Sequence, residues 1–150
     1  MEAVEADRKG KQPNIMQFER GISYPMNDLK QVYDYCIKGT VAEELADAAI
    51  RLLDLAGYRG IAIETFTEEM IYESTESCND ESFTESIYAI ATIPVRFKYE
   101  YDYSFDKQLN SMLLNIIGLS NYMGINLLWH IEQKMRYNEL RSFKHGNKKY

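Results

Sequence analysis

Apolar side chains recur at three- and four-residue spacing between Thr40 and Gly57, at Val41, Leu45, Ala48, Ala49, Leu52, Leu55 and Ala56. That spacing is one face of an α-helix. Thr40 stands at the N-cap position, Glu43 three residues on where a capping-box partner belongs, and Gly57 where a left-handed C-terminal cap belongs. Glu44, Asp47, Arg51 and Asp54 form a polar stripe beside the apolar one. A second strong periodic stretch covers Asn126 to Leu140. Leu127, Leu128, Ile131, Met135 and either Tyr137 or Leu140 are predicted to line its buried side, and Lys134, Asn138 and Arg141 to share a polar face.

The remaining chain is patterned more weakly. Phe105 to Met123 predicts a helix through Leu109, Leu113, Ile116, Ile117 and Ser120. Asn27-Asp28 caps a helix through Leu29, Val32, Tyr33, Cys36 and Ile37, and shorter helices are expected at Ile15 to Arg20, Phe66 to Ser74 and Ser82 to Ala91. Met1 to Gly10 reads as the end of a helix. Pro94 is expected to break the pattern. Val95 to Tyr103 alternates aromatic and charged residues at a strand's period, but with no partner strand it reads as an aromatic-rich loop or linker. The sum is an all-α helical bundle.

With 150 residues the chain is most simply one domain, long enough to bury roughly two thirds of its unfolded surface. Its net charge of -6 argues against a generic nucleic-acid binder, although Lys134 to Tyr150 is basic and 64–106 is acidic. Cys36 and Cys78 stand far apart without metal spacing and fit reduced thiols. No signal peptide is visible, and the most apolar run, Leu109 to Ile131, is interrupted by Asn110, Asn115, Ser120, Asn121 and Asn126. That run is expected to be a core helix pair, not a membrane span, and a cytoplasmic location is expected. No Ser-His-Asp order, Walker loop or CxxC pair occurs.

Glu44 and Asp47 are one turn apart beside a face that must be buried. Two like charges about 4 Å apart repel by roughly 4 kcal/mol at an effective dielectric near 20. A hard divalent cation removes that cost, and carboxylate oxygens are what Mg²⁺ or Mn²⁺ prefers. The competing reading is a first helical turn decorated with acids that favour the macrodipole.

Glu43-Glu44-Leu45-Ala46-Asp47, followed by Ile50-Arg51-Leu52-Leu53-Asp54, resembles the ExxD helix of the MazG-like all-α nucleoside triphosphate pyrophosphohydrolases. Lys134-Met135-Arg136-Tyr137-Asn138-Glu139-Leu140-Arg141, then Lys144-His145-Gly146, is similar to the closing KMxYNxxR…HGK segment of that family. Tyr58-Arg59-Gly60-Ile61-Ala62-Ile63 resembles its G-x-x-G-I-D-I-E step. The resemblance implies Mg²⁺-dependent hydrolysis of a (d)NTP to the monophosphate and pyrophosphate, in a homodimer or larger homo-oligomer. It implies Glu44 and Asp47 as metal ligands, with Glu2 as a third from the facing helix.

The chain departs from the family pattern in three places, one of them a helix-bearing insertion between the two acidic helices, which shorter relatives join more tightly. Glu2 matches the second glutamate of the family's ExxE motif, so the first falls before Met1. A truncated reading frame, substitution by Glu5, or a non-catalytic nucleotide-binding relative would each account for this. Residues 64–121 form an apparent insertion. Catalysis is accordingly expected from Glu5, Glu44 and Asp47, with Glu5 as a further ligand or general base. Substrate contacts are expected from Lys134, Asn138 and Arg141 to phosphate or sugar, and from Tyr137 stacking on the base, unless that ring is core. Glu43 reads as the capping acid, His130 as a packed histidine, and His145 as a tail residue near the phosphates or merely at a helix end.

Overall fold

The computed structural model describes residues 1–140, and among them every regular element is a helix. The helices are α1 (Glu2–Lys9), α2 (Ile15–Ile22), α3 (Leu29–Cys36), α4 (Val41–Arg59), α5 (Glu68–Glu76), α6 (Phe83–Tyr99), α7 (Phe105–Tyr122) and α8 (Leu127–Glu139). The all-α bundle follows from the periodicity, and most starts follow from local chemistry. Side-chain oxygens of Asn14, Asp28, Thr40, Thr67, Ser82, Ser104 and Asn126 each accept a backbone N–H in the first turn of the next helix.

Helix α4 runs three residues further than a cap at Gly57 would allow. Gly57 is helical, and Gly60 takes the left-handed cap at φ 67°, with Ile61 N–H donating to Ala56 O at 2.9 Å. Helix α6 also continues, through Pro94 to Tyr99. Proline removes one backbone donor there. Side chains fold back on the loosened turn: Thr92 Oγ1 donates to Tyr88 O at 2.9 Å, and Arg96 donates to Ala89 O at 3.2 Å. The alternating aromatics after it are not a strand. Tyr103 N–H donates to Phe97 O at 2.6 Å, and the Phe97 ring meets Tyr101 and Tyr103 edge-on at 5.8 and 5.0 Å.

Two cores hold the bundle. The larger joins Ala6 of α1, Val41, Leu45 and Ala49 of α4, Ile90 of α6, and Leu113, Ile116 and Leu119 of α7. The 64–121 segment therefore supplies much of the core that seats α1 and α4. Within it α5 and α7 touch so closely that a Cβ on Gly118 would lie 2.7 Å from the Ser74 backbone. Asn110 of α7 ties down the chain after α4, accepting from Glu64 N–H at 2.9 Å and donating to Ala62 O at 3.1 Å. The smaller core is aromatic: Phe18 meets Tyr33 and Trp129 edge-on at 6.1 and 5.5 Å, and Tyr33 stacks on Tyr137 at 4.3 Å.

Helix α8 follows the orientation expected from its apolar residues only in part. Leu127 and Ile131 pack on the larger core and Tyr137 is buried, but so are His130, Gln133 and Lys134, whereas Leu128, Met135 and Leu140 are exposed. The partners on α3 and α4 explain the burial of the polar residues. Lys134 meets buried carboxylate and Tyr137 meets Tyr33, and together these contacts outweigh the burial of Leu128 and Met135. Among the described residues no single helix is long and apolar enough to cross a membrane; α7 and α8 are bent by 109° at their junction.

Candidate functional site

Packing of α1 against α4 sets Glu2 beside the first two turns of α4. Glu2, Glu44 and Asp47 line one cavity of about 370 Å³, and Glu2, Glu5 and Glu44 line a smaller neighbour of about 120 Å³. Glu44 is half-buried, and its carboxyl is raised above the usual range. Burial is the main cause, followed by repulsion from Glu43 and Glu2, and then by Asp47, against an opposing pull from Lys134. The structure thus brings together Glu2, Glu44 and Asp47 from the set anticipated in the sequence. Glu5 stands at the edge, exposed and paired with Lys9 at 2.7 Å, which lowers its carboxyl.

Glu43 does more than cap a helix. Thr40 Oγ1 accepts from Glu43 N–H at 3.2 Å, but the reciprocal bond of a capping box is absent. Glu43 Oε2 instead accepts from Gly39 N–H at 2.6 Å, and Oε1 accepts from Lys134 Nζ at 2.5 Å. The two side chains are 3 % and 10 % exposed, so this is a buried ion pair joining α4 to α8. Lys134 Nζ also lies 3.6 Å from Asp47 Oδ1, while Arg51 Nε holds Asp47 Oδ2 at 2.6 Å. Lys134 is therefore the counter-charge of the acidic cluster, a role its i, i+4, i+7 spacing did not suggest. A lysine that the helix points at an acid-rich neighbour was the available signal.

Tyr137 lies in the aromatic core, 2 % exposed, and offers no face to a base. One side stacks on Tyr33, Lys38 and Lys134 approach the ring at 5.8 and 5.9 Å, and its hydroxyl donates to Asp34 Oδ1 at 2.8 Å. Asp34 would be raised by its burial, but hydrogen bonds from Lys30, Tyr137 and Lys38 hold it down at about 2. Sequence reasoning missed this Asp34–Lys38–Tyr137 group, since Tyr137 lies 99 and 103 residues from the other two. Behind it, the Tyr33 hydroxyl and His130 Nδ1 are buried without a hydrogen-bond partner. Burial pushes the Tyr33 phenol up, as does nearby Glu43, and pushes His130 down to about 4, keeping the imidazole neutral. Asn138 is half-buried on α8. Arg141 and His145 lie outside the described residues.

The donor set suits a hard cation in kind: carboxylate oxygens, one of them raised by burial and by its acidic neighbours. It does not form a closed cage, because among the described residues no three His, Cys, Asp or Glu groups converge on one point. Mg²⁺ is commonly held by one or two carboxylates, with water and substrate phosphates completing the shell. No family model, curated protein or solved structure matches the chain.

Proposed function

We propose that the chain is a Mg²⁺- or Mn²⁺-dependent nucleoside triphosphate pyrophosphohydrolase of the MazG-like kind, converting a (d)NTP and water to the monophosphate and pyrophosphate. The observation that carries this reading is the cavity shared by Glu2, Glu44 and Asp47, in which Glu44 is raised by burial and by its acidic neighbours. The two sequence blocks that resemble the family, on α4 and α8, support it by meeting in space through Glu43, Asp47 and Lys134.

Glu44 and Asp47 would hold the ion, with Glu2 lining the same cavity, and the ion when bound would neutralise phosphate charge and acidify a water. In the hydrolysis the water oxygen bonds to the α-phosphorus, the bond from that phosphorus to the bridging oxygen breaks, and pyrophosphate leaves. The proton lost by the water passes to a carboxylate of the cluster; Glu5, at the smaller cavity, is the member with most freedom to move. Asn138 would meet the phosphates from α8, and Lys134, staying on Glu43 and 3.6 Å from Asp47, would add its positive charge beside the carboxylates.

Asp47→Ala tests the reading: pyrophosphate release is expected to fall by about 100-fold or more, in the range that mutating a directly acting charged group produces. A loss of twofold or less would sink it. A second reading, a nucleotide-binding protein without turnover, is favoured by one observation. Both oxygens of Asp47 already face cations, Lys134 and Arg51. Tight nucleotide binding with no pyrophosphate release would establish that reading instead. Under either, a homodimer or larger homo-oligomer is proposed, and a monomeric mass in light scattering would contradict it.

A further inference from the structure

The 370 Å³ cavity extends well beyond its carboxylates. Glu44 and Leu55 both line it and are eleven residues apart on α4, about 16 Å along a helix. Acids therefore occupy one end, and apolar side chains continue toward the other. Leu52 and Leu55 of α4 face Ile87 and Ala91 of α6 and Met112 of α7. Apart from Glu2, Glu44, Asp47 and Arg51, every lining side chain is Ala, Leu, Ile or Met. Among these described residues there is no Asn, Gln, Ser, Thr, Tyr or His to present a neutral hydrogen-bonding edge, and Arg51 is engaged by Asp47.

We propose that this cavity is where the base of the nucleotide sits, and that the protein reads the base by shape and apolar contact, without hydrogen bonds to its edge. The proposal rests on the pyrophosphohydrolase reading for the placement of the phosphates at Glu2, Glu44 and Asp47. Pockets of a few hundred Å³, mostly apolar with a few polar groups at one place, are the usual form of small-molecule sites. A third of the wall comes from α6 and α7, through Ile87, Ile90, Ala91, Met112 and Ile116, so the 64–121 segment contributes to the base preference. Selectivity then has a ceiling. A pocket that reads only apolar shape separates substrates by about 10–200-fold, whereas a site built to hydrogen-bond its substrate rejects an analogue lacking the group by about 10⁴–10⁵-fold. The substrate class is thus a range of bases, with added methyl groups favoured and the pairing edge unread.

The test uses the full chain with ¹³C-methyl labels on Leu, Ile and Met, titrated in Mg²⁺ with α,β-methylene dTTP and with the same nucleotide carrying a difluorotoluene base. Pyrophosphate release from dTTP and from the hydrolysable isostere is measured alongside. Both nucleotides are expected to shift the Leu52, Leu55, Ile87 and Met112 methyls, with dissociation constants within about tenfold of each other. Ala91→Phe, at an exposed position on the cavity wall, is expected to weaken both by tenfold or more, and Ile87→Trp provides a second fill from the same helix. Isostere binding about 1,000-fold weaker would overturn the proposal and leave the hydrolase reading intact. Turnover without methyl shifts would overturn it too, as would shifts that follow protein concentration alone, which would mean that a second copy fills the cavity. Methyl shifts with no turnover would support the base site and remove the hydrolase. Silence in both would remove both.

Discussion

Helices α4 and α8 meet across the candidate site with opposite economies of burial. The inner face of α4 is Leu45, Ala46 and Ala49, 0–2 % exposed, with Glu44 and Asp47 at the border and Glu43 alone among its acids buried, against α8. The inner face of α8 is His130, Gln133, Lys134 and Tyr137, while Leu128 and Met135 face outward, 67 % and 51 % exposed. Helix α4 is held by dispersion and desolvated methyl groups, α8 by an ion pair, a ring stack and a tyrosine hydroxyl on Asp34. The apolar face tolerates small changes of shape. The polar face is all or nothing, since each partner left alone is a buried charge.

The largest effect is expected where the two faces join. Lys134→Met leaves Glu43 buried and unpaired and is expected to cost about 3–5 kcal/mol in denaturant unfolding, with much of it regained in the Lys134→Met/Glu43→Gln double variant. Equal losses in single and double variants would show that packing, not charge, holds α8. Next, Leu45→Ala on the apolar face is expected to cost about 2–5 kcal/mol. Its effect should be additive with substitutions far along α8.

The third expected effect separates the faces by pH. His130 is held neutral, with its folded value at about 4 against an ordinary 6.5. The unfolded chain therefore binds more protons between those values, and stability is present above about 6.5 and lost as pH falls toward 4. The loss is of order 3 kcal/mol at most. His130→Phe is expected to flatten that slope in urea titrations at pH 7 and pH 4.5, while Leu45→Ala keeps it. The smallest effect is expected from Met135→Gln on the outer side of α8, within about 0.5 kcal/mol. A larger loss would mean that this face is covered in solution.

The same contrast explains what could be read from the amino-acid pattern. Helix α4 was legible in existence, start and inward face because Thr40 and the Val41/Leu45/Ala49 repeat act locally. Helix α8 was legible in extent and in the inward side of Leu127 and Ile131, but not in the burial of Lys134, because its partner Glu43 lies 91 residues away. The continuation of α6 past Pro94 was hidden for a different reason: the contacts are local, with Thr92 and Arg96 folding back on the turn that proline loosens, but the proline signal masks them. Of the candidate site, Glu2, Glu44 and Asp47 were found together. Glu43 as a buried ion-pair partner and Tyr137 as a core ring depend on tertiary neighbours that no spacing within one helix reveals.

The central claim is that the carboxylates of α1 and α4 form a working phosphoryl site. Its most direct test is incubation of the 150-residue chain with a panel of NTPs and dNTPs in Mg²⁺, measuring pyrophosphate and monophosphate. The account expects equimolar release of both from several bases, abolished by Asp47→Ala and by chelation. Absence of pyrophosphate from every nucleotide, at protein concentrations where the helices are folded, would contradict it.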